Sequence, residues 1–315
     1  MARVVFLGTP EFGVPVLEAL SEQHEVLAVV TQPDRRVGRG RAHTHASPVK
    51  EAAVARGLKV LQPVRLRRDR EVLEELRRLQ AEVFVLAAFG QILPQEVLDI
   101  PPHGTIGVHA SLLPRLRGAA PITAAILTGE QETGITLMLT DAGMDTGAII
   151  AQRSLPITSD DTTASLSEKL AHLGAELLIE TLPAWLAGEI TPIPQDDSQA
   201  TYAPPINKEQ GAIDWGRSAS EIDRQIRAFT PWPGAFTTFE GRNLKVLRAH
   251  AGPEPATPAA GQAAPGTVVK LDEGIGVVTG EGMLVLETVQ LAGKGPLDAG
   301  TFARGQRQFV GSVLG

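Results

Sequence analysis

The sequence predicts an α/β fold, a parallel sheet covered by helices on both faces, followed by a small antiparallel β-barrel. Three observations carry this prediction. Strongly apolar strand-length runs alternate with amphipathic helix-length segments through the first half of the chain, a proline-rich stretch then interrupts regular structure, and the last hundred or so residues hold short alternating segments. With 315 residues, of which 43% are hydrophobic, the chain is long enough for two domains that each bury a core.

Residues 3–7 form the first apolar strand, 11–21 a helix and 26–31 a second strand. The rhythm continues with a helix over 48–56, a short strand over 59–61, a helix over 70–79 and an apolar strand over 83–88. Unbroken apolar strands between helices are the mark of a parallel sheet buried on both faces. Further strands fit 105–108, 135–139 and 149–155. A long helix over 162–187 follows, with Leu166, Leu170, Leu173 and Leu177 spaced by 4, 3 and 4 to make one apolar stripe. It closes a first domain spanning 1–188. Residues 189–207 read as a linker, because Pro192, Pro194, Pro204 and Pro205 block regular structure. In the second domain, 208–315, a helix bearing Ile222, Ile226 and Phe229 leads into strands near 235–239, 244–249, 267–271, 276–279 and 283–291. That strand number suggests an OB-like barrel. The Ala/Pro/Gly stretch 251–266 is too long for a tight hairpin and reads as a mobile loop. No internal repeat is present, which excludes a solenoid.

The absence of cysteine excludes disulfides, thiolate metal sites and a cysteine nucleophile. No run of about 18 apolar residues is present, and the N-terminus enters the first strand without signal-peptide architecture, which predicts a cytoplasmic protein with no membrane contact. Net charge is −7, yet eleven lysines and arginines balance eleven acids between 208 and 315, so the whole excess lies upstream. Within that acidic half, Arg35, Arg36, Arg39 and Arg41 form a short basic cluster beside Asp34. On composition alone it is either a phosphate contact or a solvated surface loop.

Gly8 and Gly13 follow the first strand, but their spacing is neither G-x-G-x-x-G nor a Walker motif, and they read as a plain strand-to-helix turn. The chemistry is denser further on. Residues 104–121 read GTIGVHASLLPRLRGAAP and residues 141–147 read DAGMDTG. His109 follows a strand and Asp145 sits in a glycine-bounded loop, so the two can meet at the carboxyl ends of a parallel sheet, where open α/β folds place their sites. An imidazole beside a carboxylate can transfer a proton or stabilise charge on oxygen. Spacing alone leaves His109 open as either a structural or a catalytic histidine.

Ser111-Leu112-Leu113-Pro114, then Arg117-Gly118 and Pro121, resembles the SLLPxxRGxxP signature of the folate-dependent formyltransferases, and DAGMDTG resembles their second motif. TQPDRRVGRGR from Thr31 with SPVK from Ser47, and downstream IDW from Ile213 and IRAFTPWPGAF from Ile226, resemble the methionyl-tRNA branch of that family. The likeness covers nearly the whole chain. It implies a Rossmann-like N-terminal domain that binds 10-formyltetrahydrofolate and the aminoacyl end, joined to an OB-like domain that grips initiator methionyl-tRNA. A monomer is the default expectation, and no metal is needed because the formyl amide is already an activated donor. The implied reaction is formyl transfer to the α-amino group. His109 matches the catalytic histidine, as oxyanion stabiliser and proton donor. Asp145 matches the catalytic aspartate, orienting His109 and accepting the amine proton. The implied folate contacts are Phe89, Gly90, Gln91, Ile92 and Leu93, the motif residues Ser111, Leu112, Leu113 and Pro114, and Thr140, Asp141 and Met144. Arg35, Arg36, Arg39 and Arg41 would contact tRNA, with Arg39 the best match to the family's acceptor-contacting arginine, and Lys208 would join them.

One departure bears on catalysis. The family's first motif runs Asn-x-His, whereas this chain has Gly107-Val108-His109. Loss of one oxyanion donor typically costs roughly 10² to 10³ in rate. Gly107 therefore keeps open a weak enzyme or a non-catalytic folate- or tRNA-binding relative. A formyltransferase acting on a small amine is a further alternative, one in which the Arg39 loop has no expected role. Pro204-Pro205 stands where the family tends to carry a linker lysine.

Overall fold

The computed structural model describes residues 1–37, 43–252 and 263–315. Arg39, Arg41 and most of the stretch 251–266 lie outside the described residues. Contacts divide the chain into two units interleaved in sequence. The first comprises Met1–Pro121, Glu132–Pro156 and Ser167–Ala203, the second Ile122–Gln131, Ile157–Leu166 and Pro204–Gly315.

In the first unit β1 (Arg3–Gly8) is apolar and buried from Val4 through Leu7. The helix expected from residue 11 begins instead with a 3₁₀ turn over Glu11–Gly13, and α1 (Val14–Gln23) follows with Pro15 in its first turn, where the missing N–H costs nothing. Next come β2 (Glu25–Val30) and two short antiparallel strands, β3 (Arg35–Val37) and β4 (His43–His45), where the basic sequence predicts only a loop. Ser47 caps α2 (Pro48–Ala55), accepting a hydrogen bond from the Lys50 amide. After β5 (Val60–Leu61), Asp69 caps α3 (Arg70–Leu79) in the same way, and Arg77 and Arg78 suit the negative end of its dipole. Then follow β6 (Val83–Ala87), the short α4 (Gln95–Leu98), β7 (Thr105–His109), β8 (Arg117–Gly118) and α5 (Pro121–Thr128), which belongs to the second unit from Ile122 onward. Two longer strands, β9 (Glu132–Leu139) and β10 (Ile149–Pro156), precede α6 (Thr163–Leu186), whose first turn through Leu166 belongs to the second unit.

The seven-stranded sheet runs β10-β9-β7-β6-β1-β2-β5. Its five strands from β7 to β5 are parallel, but β9 is antiparallel to both β7 and β10, so the sheet is mostly rather than wholly parallel. Periodicity cannot reveal this, since a buried antiparallel strand is as apolar as a parallel one. On α6, Leu166, Leu170 and Leu177 are buried as the spacing predicts, while Leu173 is only half-buried. The packed stripe is turned toward Gly174, where an added Cβ would lie 2.9 Å from Val108 Cγ1 of β7. Only a residue without a side chain lets helix and strand approach this closely. Residues 189–203 fold onto the first unit, and β11 (Tyr202–Ala203) pairs parallel with β8.

In the second unit Ser218 and Glu221 form a reciprocal capping box at the start of α7 (Ala219–Ala228). The strands are β12 (Ala235–Phe239), β13 (Arg242–Gly252), β14 (Val268–Leu271), β15 (Gly274–Val278), β16 (Met283–Leu291) and β17 (Leu297–Asp298). They pair antiparallel in the order β12-β13-β16-β15-β14, with β17 on β16. Register shifts in β13 between Val246 and Ala249 are bulges of the kind that bend a strand around a core. That core takes Ile222 and Ile226 from α7. Phe239, Phe309 and Phe302 of α8 (Ala299–Gly305) meet edge to face at centroid separations of 4.9–6.0 Å. Among the described residues, no helix is long and apolar enough to cross a membrane.

Candidate active site

At the carboxyl end of β7 the His109 imidazole is only 9% exposed. Its Nε2 lies 3.1 Å from the Leu116 carbonyl. A carbonyl only accepts, so Nε2 carries the hydrogen and Nδ1 is left to face Asp145. Nδ1 and Asp145 Oδ1 are 3.7 Å apart, an ion-pair separation rather than a hydrogen bond. The second Asp145 oxygen, Oδ2, accepts from the Gly118 amide at 2.8 Å. One carboxylate oxygen is thus tethered to the SLLPRLRG loop, and the other is left for proton exchange beside the imidazole.

The glycines of DAGMDTG follow from its tight path. An added Cβ at Gly147 would lie 1.7 Å from the Leu139 carbonyl, and one at Gly143 would lie 2.0 Å from Thr146 Oγ1. Asp141 ties the turn by accepting from the Gly143 amide at 3.0 Å and from Thr146 Oγ1 at 2.8 Å. Asp145 itself adopts a left-handed backbone, φ 55°. In register with His109, Thr136 of β9 donates to the Ser111 carbonyl at 2.6 Å and accepts from the Leu113 amide at 3.0 Å. Gln152 donates to both Thr136 Oγ1 and the Leu113 carbonyl, and Ser111 Oγ donates to the Arg115 carbonyl. The Leu113-Pro114 bond within this loop is cis.

Segment 193–203 clasps both motif loops. Ile193 and Ile149 exchange backbone hydrogen bonds at 2.8 Å. Thr201 receives the Leu116 amide on its hydroxyl and the Arg117 amide on its carbonyl, both at 2.9 Å. The buried Arg117 guanidinium donates to Gln195 and pairs with Asp197 at 2.8 Å. Nothing in the local sequence marks Gln195, Thr136 or Gln152, because an amide or hydroxyl between prolines or within a strand carries no local signal.

Gly107 lies two residues before His109 on the same face of β7. An added Cβ there would stand 2.9 Å from Thr140 Oγ1 and 3.1 Å from Met138 Cε. Thr140 Oγ1 is buried and has no hydrogen-bond partner. The hydroxyl therefore crowds the space that a side chain at 107 would need.

At the ends of β1, β2 and β6, a cavity of about 610 Å³ is lined by Thr9, Gln32, Arg35, His45, Phe89 and Gly90, among others, and neither His109 nor Asp145 lines it. Thr9 and Gln32 donate to the Phe89 carbonyl at 2.9 and 3.0 Å, and Arg35 donates to Gln32 at 3.1 Å. Arg35 is thereby linked to the backbone of the 89–93 loop. Within that loop Phe89 and Leu93 are buried, Ile92 is 84% exposed, and the Gln91 side chain turns inward to bind the Leu66 amide and Pro63 carbonyl. Met144, on the DAGMDTG loop, is 64% exposed. Lys208 is exposed in the second unit.

Residues 2–182 match the formyl transferase family model, and residues 205–307 match the model for the formyl transferase C-terminal domain. The chain belongs to the formyl transferase family. It is 50% identical over 311 residues to methionyl-tRNA formyltransferase of Myxococcus xanthus, covering 98% of this chain and 97% of that one. It is 49% identical to the protein of the same name from Citrifermentans bemidjiense, covering 99% and 96%. Among solved structures, the N-formyltransferase of Helicobacter canadensis in complex with folinic acid and dTDP-3-aminofucose is similar in fold. Its TM-score is 0.67 at 22% identity, covering 91% of this chain and 98% of that one. HypX from Aquifex aeolicus in complex with tetrahydrofolic acid gives a TM-score of 0.63 at 19% identity, over 98% of this chain and 48% of that one. The His109 and Asp145 geometry lies inside the part matched by the first model.

Proposed function

We propose that the chain transfers the formyl group of 10-formyltetrahydrofolate to the α-amino group of initiator methionyl-tRNA, with His109 and Asp145 as its catalytic pair. The observation that carries the substrate assignment is near-50% identity, over both units, to relatives bearing that name. The chemistry follows from the fixed carboxylate. Asp145 Oδ1 accepts the proton released as the amine attacks. The His109 hydrogen on Nε2 is committed to Leu116, so Nδ1 acts once Asp145 Oδ1 has passed it the amine's proton. That Nδ1–H then stabilises charge on the formyl oxygen and protonates the tetrahydrofolate nitrogen as its bond to the formyl carbon breaks. Gly107 adds no donor from its own side chain.

The pterin lies against the 89–93 and 140–145 loops, each of which presents one large apolar side chain, Ile92 or Met144, suited to a flat ring. Ser111, Leu112, Leu113 and Pro114 shape the same wall. Arg35, Arg36, Arg39, Arg41 and Lys208 meet tRNA phosphates. The domain limits 1–188 and 208–315, the monomeric state and the cytoplasmic location belong to the same reading. A formylation assay with charged initiator tRNA and 10-formyltetrahydrofolate tests it. Formyl-methionyl-tRNA is the expected product. Formylation of an amino-sugar nucleotide, with none on tRNA, would overturn the assignment.

A further inference from the structure

Asp145 adopts a left-handed backbone conformation, which aspartate tolerates better than most residues with a Cβ, and its neighbours hold it in that single geometry. The neighbour best placed to do so comes from outside both motifs. Gln195 Nε2 donates to the Asp145 carbonyl at 2.8 Å and to the Gly147 carbonyl at 2.7 Å. Its Oε1 accepts from Arg117 Nε at 3.0 Å and Nη2 at 2.7 Å. A guanidinium only donates and a carbonyl only accepts, so the amide can be oriented in one way alone. Arg117 is in turn held by Asp197.

We infer that Gln195 is a positioning residue for Asp145, and that the buried Arg117 serves to aim the Gln195 amide at the catalytic loop. The inference rests on the proposed role of Asp145. Two amide hydrogens grip the loop on either side of Thr146 and fix the backbone from which the carboxylate reaches His109. The arginine of the SLLPRLRG motif thereby acts on the second motif through a residue in neither. The 193–203 segment becomes part of the catalytic apparatus rather than a tether.

The test is Gln195→Glu. Glutamate has the same length and keeps an acceptor for Arg117, so the clasp on Arg117 survives, but an oxygen now faces two carbonyl oxygens. Misplacing a catalytic group by about 1 Å can cost roughly 10²-fold, so kcat should fall roughly 10- to 100-fold while KM for tRNA and for folate stays within about threefold. Hydrogen exchange at the amides of residues 143–148 should accelerate, with exchange in β7 unchanged. Should this variant not fold, Gln195→Met, which has neither donor nor acceptor, is measured in its place. A folded variant with the parent kcat overturns the inference. So does a kcat loss matched by equal rises in both KM values, or by faster exchange throughout the sheet, since either marks a general structural role. Asp145→Asn runs alongside. If it retains the parent rate, the catalytic reading of Asp145 has failed, an outcome distinct from failure of the Gln195 contact.

Discussion

Gly107 is where the family motif and this chain part, and the structure shows what restoring the amide would meet. An asparagine Cβ at 107 lands 2.9 Å from Thr140 Oγ1 and 3.1 and 3.3 Å from Met138 Cε and Cγ. The methionine end can swing aside, but the threonine hydroxyl sits on a short branched side chain and must rotate or retreat. Overpacking of this kind costs about 1–3 kcal/mol. Gly107→Asn alone should therefore lower the melting temperature by roughly 2–4 °C per kcal/mol, the scale for domains of 150–250 residues. Thr140 Oγ1 makes no hydrogen bond, so Thr140→Ala removes the obstacle without breaking one, and the Thr140 amide bond to the Thr105 carbonyl is kept. The double variant should recover most of the lost stability. It should also raise single-turnover formylation roughly 10²- to 10³-fold above Thr140→Ala alone, about 2.7–4 kcal/mol and the size of one oxyanion donor. Saturating folate removes any change in folate affinity from the comparison. A folded double variant no faster than Thr140→Ala would mean that another group already holds the oxyanion, and that Gly107 is not the missing donor's position.

Three further outcomes are expected. Alanine at His109 or at Asp145 should each remove most activity, and the double variant should be little worse than either single; multiplicative losses would show that the two act independently. Arg39→Ala should raise KM for methionyl-tRNA with little change for folate, and tRNA binding should weaken as salt rises; equal losses for both substrates, or a flat salt response, would remove the loop from tRNA recognition. Glu221 is held in its charged form by the Arg217 side chain and the Ser218 amide and hydroxyl, which lower its pKa from 4.5 to about 2. A lowered carboxyl pKa stabilises the fold above about pH 4.5, and that contribution is lost as pH falls through about 2. Denaturation midpoints of the parent and Glu221→Gln should accordingly converge between those pH values, and parallel curves would contradict it.

Local sequence is enough for those parts of the fold that obey short-range rules. Apolar runs such as Val83–Ala87 and the capped helix Arg70–Leu79 appear where periodicity, caps and breakers put them, because burial period and backbone hydrogen bonding are written into consecutive residues. The two motif loops were legible for the same reason, since each is a contiguous string. The remaining features depend on partners far apart in the chain. The reversed direction of β9, the close approach of Gly174 to Val108 and the crowding of Thr140 over Gly107 leave no trace in local pattern. The grip of Gln195 on Asp145 spans 50 residues. One amide among prolines and acids has no period to betray it, and its role exists only once the sheet has brought both motif loops to the end of β7.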